Sequence, residues 1–458
     1  MVKIKFSIVF LSLLLVVACS PFDEELDPII EPEIITPETA LQSYLNNDDT
    51  TFQWEIQSQN MIGDTQVFEL LLTSQNWRGH IWKHQLTILV PKTINYSGAL
   101  MYITSGNVNN GMPVWASAYS GENLAFAVVA EKNKAITAIL HQTPMQPLYG
   151  GLVEDQLISY TLYQFKKDKD YTWPLLFPMV KGVVKAMDAM QDFSKDNLGK
   201  NIQDFTLAGA SKRGWTTWLT GANDKRVKAI APMVIDMLNM PVSMDYHIVA
   251  WGAYSEQIAD YTALGIPQAI NSADGNALTT MIDPYSYRDK LTMPKLIFIG
   301  TNDPYWPVDA IKNYIDDIPG NNFIHYVANA GHGLNGGEQA VRALSAFWNT
   351  TLTNDQYTEL EYQITSSQTG TTLTVQSNSD ELLNIYSWSA TSTDRDFRND
   401  VFVSEKISTT TKDAINYEVN FPDAGFKAFY IDMEYSDPNG GVYTKSTRMY
   451  VLDDDELL

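Results

Sequence analysis

Phe205-Thr206-Leu207-Ala208-Gly209-Ala210-Ser211-Lys212-Arg213-Gly214-Trp215 is an apolar run that ends in a small-residue turn and leads into a helix-like pattern. It reads as strand, sharp turn and helix, with a serine at the tip. A serine so placed has its hydroxyl lifted above a sheet edge, and the N-terminus of the following helix points N–H groups at whatever it attacks. This is a nucleophile elbow with altered spacing. Lys212 and Arg213 follow Ser211, so the second glycine of the usual G-x-S-x-G pattern, Gly214, comes one residue late.

Working outward, residues 178–190 carry apolar side chains at helical spacing and open on Pro178, a helix-starting arrangement. Residues 227–235 form the next strand candidate and end at Asp236. From 236 to 286 the pattern predicts helical stretches and no strand, which suits a lid or an inserted helical layer. Residues 293–300 are again an apolar strand, with Asp303 just past its end. The strand candidate 323–327 is followed by Asn329-Ala330-Gly331-His332-Gly333, and 341–348 makes a closing helix. Upstream, 66–74 and 80–90 are hairpin strands around Asn76-Trp77-Arg78-Gly79, 99–104 and 124–130 are short apolar strands, and 154–164 is a helix. Strands alternating with helices predict an α/β fold with a mostly parallel sheet, and ligands of such sheets bind beyond the carboxyl ends of the strands. Ser211, Asp303 and His332 each follow such an end.

A serine hydroxyl becomes a useful nucleophile when a histidine takes its proton and a carboxylate holds that histidine in the right tautomer. The order Ser211, Asp303, His332 is the Ser, acid, His order of the α/β-hydrolases. Asp236, also at a strand end, is the competing acid. Of the six histidines, His332 alone sits in a Gly-flanked loop after the last strand of the series, whereas His80, His84, His141 and His247 read as structural. The oxyanion would be met by the backbone N–H of Lys212 and one from the Gly106-Asn107 loop, which is otherwise a plain surface turn. Lys212 and Arg213 either present charge to an acidic substrate, or Arg213 fills the space left by the displaced glycine and pairs with a carboxylate. Neither a metal nor a cofactor is implied.

The chain has 458 residues, too many for one ordinary core. Lys3 and Lys5, an apolar run from Phe6 to Ala18, and then Cys19 describe a secretory signal. It resembles a bacterial lipoprotein signal, in which Cys19 becomes the lipidated first residue and ties the protein to the membrane of the cell envelope; the rival is an ordinary cleaved signal. Cys19 is the only cysteine, so an intramolecular disulfide is excluded. The expected organisation is a signal peptide over 1–18, an acidic Pro-rich tether over 19–38, a hydrolase domain over 39–352 and a small antiparallel β-sandwich, immunoglobulin-like, over 353–458. A net charge of −23 argues against a nucleic-acid partner. The partners expected are a small-molecule, carbohydrate or peptide ester and, through the lipid, a membrane. Trp115, Trp173, Trp251, Tyr305 and Trp306 are available to line a sugar-binding cleft or the core.

Gly209-Ala210-Ser211-Lys212-Arg213-Gly214-Trp215-Thr216-Thr217-Trp218, followed by Val234-Ile235-Asp236-Met237-Leu238-Asn239, closely resembles the PhoPQ-activated pathogenicity-related protein family. Trp82-Lys83-His84, Pro144-Met145-Gln146-Pro147, Glu154-Asp155, Asp283-Pro284-Tyr285 and Asn329-Ala330-Gly331-His332 look like its other signatures, over roughly residues 40 to 350. The resemblance implies a secreted or envelope-associated α/β-hydrolase domain whose substrate is poorly defined. At Asp303-Pro304-Tyr305-Trp306 the chain departs from the family's second acid and paired phenylalanines, although Asp303 itself matches. The G-x-S-x-x-G elbow with a basic residue after the serine is also similar to that of the glucuronoyl esterases, a likeness that implies sugar-acid esters as a substrate class.

Overall fold

The computed structural model describes Met1 and residues 34–357, 360–377, 379–409 and 414–458. The predicted signal peptide, Cys19 and most of the tether lie outside the described residues. Thr36–Leu458 is one compact unit.

Its spine is a mixed sheet, 14-stranded among the described residues. The N-terminal edge is an antiparallel meander, Gln53–Ile62, Thr65–Trp77 and His80–Val90, with Trp77 opposite His80 across the turn. Thr137–Leu140 follows in space, then Gly98–Ile103, Asp204–Ala210, Val227–Met233, Lys295–Gly300 and Asn322–Val327, all parallel to their neighbours in this run. Such strands are covered by helices on both faces, so each reads as a nearly unbroken apolar run. The order places Thr137–Leu140 outside Gly98–Ile103, the exchange that characterises the α/β-hydrolase sheet. This is an α/β-hydrolase fold.

One expected strand is a helix. Residues 124–130 lie within the helix Gly121–Asn133, and the strand in this stretch is Thr137–Leu140. The physical reason is local. Ser120 caps the helix by accepting from Asn123 N, Glu122 sits favourably in the first turn, and Asn123, Phe126, Ala127, Ala130 and Asn133 are buried at helical spacing while Leu124 and Val128 face water. A run as short as Leu-Ala-Phe-Ala-Val-Val-Ala cannot be told from a buried strand by apolarity alone.

Beyond the helix Glu338–Thr353 the chain is antiparallel β. Val442–Ser446 pairs with Asn322–Val327 at Ile324 and Ser446, so Phe426–Ser436, Leu382–Ser392 and Val403–Thr409 extend the same sheet. A separate three-stranded sheet, Leu360–Ser366, Gly370–Ser377 and Ile415–Asn420, packs on this extension around Leu373, Val375, Ile385, Phe429, Ile431 and Met433. The change of composition near 352 therefore marks a change of secondary structure within one packed body. The segment 394–402 reaches back onto the hydrolase loops, as described below.

Candidate active site

Asp204–Ala210 delivers Ser211 to the sheet edge, and the helix Lys212–Asn223 starts at the next residue. Ser211 has φ 57° and ψ −125°, a conformation that side-chain-bearing residues rarely adopt and that marks the elbow. Its N–H donates to Met233 O at 2.8 Å, and its carbonyl accepts the helix's first i→i−4 bond, from Trp215 N. The amides of Lys212, Arg213 and Gly214 precede that bond and so are free of intrahelical acceptors. The late glycine has a steric cause. A Cβ on Gly214 would meet Ile235 Cγ2 at 2.8 Å, Met233 O at 2.9 Å and Gly209 O at 3.0 Å, so this turn of helix lies directly on the sheet.

The two cations after Ser211 are paired within the protein. Arg213 Nη1 donates to Glu154 Oε2 at 2.8 Å, with Nη2 on the other carboxylate oxygen, a bidentate pair. Its Nε reaches Thr143 O, and Thr143 N in turn donates to Thr104 O, which ties the elbow helix to the 104–107 loop. Lys212 Nζ is 2.7 Å from Asp155 Oδ2 and 3.6 Å from Glu154. Burial alone would raise the Glu154 carboxyl, but the hydrogen bonds and charge of Arg213, with Gln146 and Lys212, outweigh it and hold the carboxyl at about 2. Of the two readings of Arg213, pairing with a carboxylate is the one realised.

Asp303 is buried just beyond Lys295–Gly300, and His332 Nδ1 lies 3.0 and 2.9 Å from its two carboxylate oxygens. Tyr305 N also donates to Asp303 Oδ1 at 2.9 Å, and the Tyr305 ring stacks on the imidazole with centroids 4.1 Å apart. With Nδ1 engaged by a carboxylate, Nε2 is the nitrogen left to face a substrate, and it has no partner here. Asp236, the competing acid, is fully buried and directed elsewhere. Tyr314 donates to its Oδ1 at 2.6 Å, and burial, with the nearby charges of Asp303 and Asp309, pushes it up to about 7.

Two amide side chains hold the acid and histidine loops. Asn302 Nδ2 donates to Phe397 O at 2.9 Å and Asp400 O at 2.7 Å. Asn329 exchanges two bonds with Phe402, Nδ2 to O at 2.9 Å and N to Oδ1 at 2.7 Å. Residues 397–402 thus brace the neighbours of Asp303 and His332. Asn329 stands in a quoted family signature, but nothing in the sequence pattern announces its partner 73 residues away.

Gly106 and Asn107 follow Gly98–Ile103, whose Ile103 is in register with Gly209, so their loop shares the edge that carries Ser211. A Cβ on Gly106 would meet Gln142 Nε2 at 2.6 Å. The glycine therefore gives the Gln142 side chain room to pack, whether or not an oxyanion is bound. His84 and His141 are buried and pushed down to about 4 by burial, as is His247. His84 lies between Ser74 Oγ and His141 O, in keeping with a structural role.

Beside Ser211 opens a cavity lined by Lys212, Trp215, Ile235, Met240, Tyr305 and Trp306, among others. Much of its wall comes from the helical insertion between Asp236 and Ser286. The nearest approach to a metal-ligand cluster among the described residues is Asp453, Asp454 and Asp455, on the C-terminal segment.

Fold and site define an α/β-hydrolase with a serine at the elbow. More closely, the chain belongs to the PhoPQ-activated pathogenicity-related protein family, whose model matches residues 41–398 and so runs into the bracing segment. It is 31% identical over 430 residues to autocrine proliferation repressor protein A of Dictyostelium discoideum, covering 87% of this chain and 86% of that protein. Among solved structures it is similar to an acetyl xylan esterase from Paenibacillus sp. R4, with TM-score 0.47, 13% identity, and coverage of 69% of this chain and 96% of that one. Acetyl xylan esterase 1 from a Thermoanaerobacterium species gives TM-score 0.45 and 15% identity over 65% of this chain and 86% of that one.

Proposed function

We propose that the protein is a serine hydrolase that cleaves an ester, or alternatively an amide, through an acyl-enzyme. Ser211 attacks the carbonyl carbon, and His332 Nε2 takes the hydroxyl proton and returns it to the leaving group. Asp303 fixes the imidazole through Nδ1 and stabilises its positive charge. Water then attacks the acyl-serine with His332 again as base. The Lys212 amide and one from the Gly106-Asn107 loop face the oxyanion. The single observation that supports this most is the Asp303–His332 pair at 2.9 Å on the same sheet edge as a serine held at φ 57°. Purified residues 20–458 should hydrolyse at least one class among short-chain acyl esters, glucuronate methyl esters and aminoacyl esters, and Ser211→Ala should abolish it. Turnover that survives in Ser211→Ala contradicts the mechanism.

A second reading, a non-catalytic envelope binding protein on a hydrolase fold, is favoured by one observation: His332 Nε2 makes no hydrogen bond to Ser211 or any other group. Catalytic hydrogen bonds are often unformed before substrate binds, so this weighs little against turnover.

For location, the proposal is a bacterial cell-envelope lipoprotein anchored through Cys19, supported by the signal-like sequence that precedes it. Metabolic labelling with an alkyne fatty acid should mark the wild type and leave Cys19→Ala unmarked; equal labelling of both excludes this anchor.

A further inference from the structure

The cavity beside Ser211 has a chemistry of its own. Its wall is formed by Met240 and Met244 of the helix Met240–Trp251 and by Ile258, Ile266 and Ile270 of the turns that follow, over Trp215. The polar atoms of its other liners are already engaged within the protein. Trp215 Nε1 donates to Ile282 O at 2.6 Å, Trp306 Nε1 to Val234 O at 3.4 Å, and Tyr261 Oη to Asp155 Oδ1 at 2.9 Å. Lys212 Nζ is taken by the same Asp155 at 2.7 Å. What faces the space is mostly carbon and thioether, with Ser211, Tyr305 and the mutually paired Lys212 and Asp155 as its polar liners.

A sugar acid in such a cavity would leave its hydroxyls without partners, and each buried unpaired hydroxyl is costly. An alkyl or aryl group would gain from every carbon buried. Methionine-rich walls also adapt to chains of differing shape. His332, which must reach the departing oxygen, is not among the residues lining the cavity, whereas Tyr305, stacked on its imidazole, is. The leaving alcohol therefore belongs on the histidine side, and the enclosed side holds the part of the substrate that stays on Ser211.

We infer that the cavity between the elbow helix and the helical insertion is an acyl-binding pocket for an apolar acyl group longer than acetyl. This inference rests on the serine-hydrolase reading and specifies its substrate class: the acyl half is hydrophobic, and glucuronoyl esters are disfavoured.

The test is a pair of ester series on the intact protein, one with acetyl to octanoyl on a fixed aryl alcohol, the other with a fixed acyl group on alcohols from methyl to octyl. Burial of each methylene is worth about a fourfold gain in kcat/KM until the cavity is full. The acyl series should therefore rise from acetyl to hexanoyl by up to about 250-fold, and by less where the cavity fills sooner, while the alcohol series stays nearly flat. Ile270→Trp and Met244→Phe, which fill the cavity, should each lower hexanoyl turnover at least tenfold more than acetyl turnover. The acetyl rate thus reports whether either variant has failed to fold. Ser211-dependent turnover that is fastest on acetyl or glucuronoyl esters, or that varies with the alcohol alone, overturns the acyl assignment and leaves the triad standing. If no ester is turned over and a fluorophosphonate leaves Ser211 unlabelled, the hydrolase reading falls, and octanoate binding followed by tryptophan fluorescence decides the rest. Binding lost in Ile270→Trp upholds an apolar occupant of the cavity; no binding overturns that as well.

Discussion

The two halves of the site are held in place by different physics. The serine half, Ser211 and the start of its helix, is fixed by charge, with Arg213 and Lys212 locked to Glu154 and Asp155. The acid and histidine half is fixed by neutral amides, with Asn302 and Asn329 gripping the backbone of residues 397–402. The first arrangement depends on pH and is local to the hydrolase core. The second is indifferent to ionisation and depends on a segment contributed by the C-terminal strands. A triad assembled from both should fail in two distinguishable ways.

The largest expected effect lies at the chemistry itself. Ser211→Ala should lower kcat/KM by about 10⁴-fold or more on whichever ester is cleaved. Asp303→Asn, which leaves His332 without its carboxylate, should cost ~10⁴-fold in kcat. Asp236→Asn should stay close to wild type, because its partner is Tyr314 and not the imidazole. The reverse ranking of the two acids would make Asp236 the acid of the triad and break the assignment.

Next come the amide braces. Asn302→Ala or Asn329→Ala should lower kcat by ~10–100-fold through misplacement of the Asp303 and His332 loops. Thermal stability should fall modestly, by about 1–3 kcal/mol for each set of lost buried bonds. An unchanged kcat in both would mean that the C-terminal segment has no part in positioning the triad.

The smaller effects separate the halves by pH. The Glu154 carboxyl is held at about 2, below its ordinary range. Its contribution to stability is therefore complete above the unfolded value near 4.5 and is lost as pH falls from there toward 2. Glu154→Gln should remove that part of the acid dependence and cost about 2–4 kcal/mol at neutral pH, since it leaves Arg213 buried without its counter-charge. Asp236 carries the opposite sign. Its carboxyl is raised to about 7 by burial, so its favourable share is complete below about 3.8 and is lost as pH rises through 7. Asp236→Asn should thus flatten the stability profile between about pH 5 and 7, where Glu154→Gln leaves its slope nearly unaltered; chemical denaturation from about pH 2 to 8 reads both.

Much of this was legible in the sequence wherever one local pattern decided the outcome. The elbow, the strands that precede Asp303 and His332, and the helical insertion follow from apolar runs, turn residues and their order. The strand expected at 124–130 failed because a short buried run has no period of its own, and the deciding feature was the Ser120 cap. The strand Thr137–Leu140 was hidden by its brevity. The bracing of the site by residues 397–402 was illegible because each bond joins residues 73 or more positions apart, and no periodicity encodes such pairing. The choice between Asp236 and Asp303 likewise required a distance to His332 that strand order alone does not contain.

The most direct test of the central claim is the rate at which a fluorophosphonate labels the native protein, with the site of attachment read by peptide mass spectrometry. An activated nucleophile predicts stoichiometric attachment at Ser211, slowed by about 10³-fold or more in His332→Ala. Absence of attachment at Ser211 in the folded wild type, or attachment that proceeds equally well without His332, contradicts a Ser211–His332–Asp303 triad.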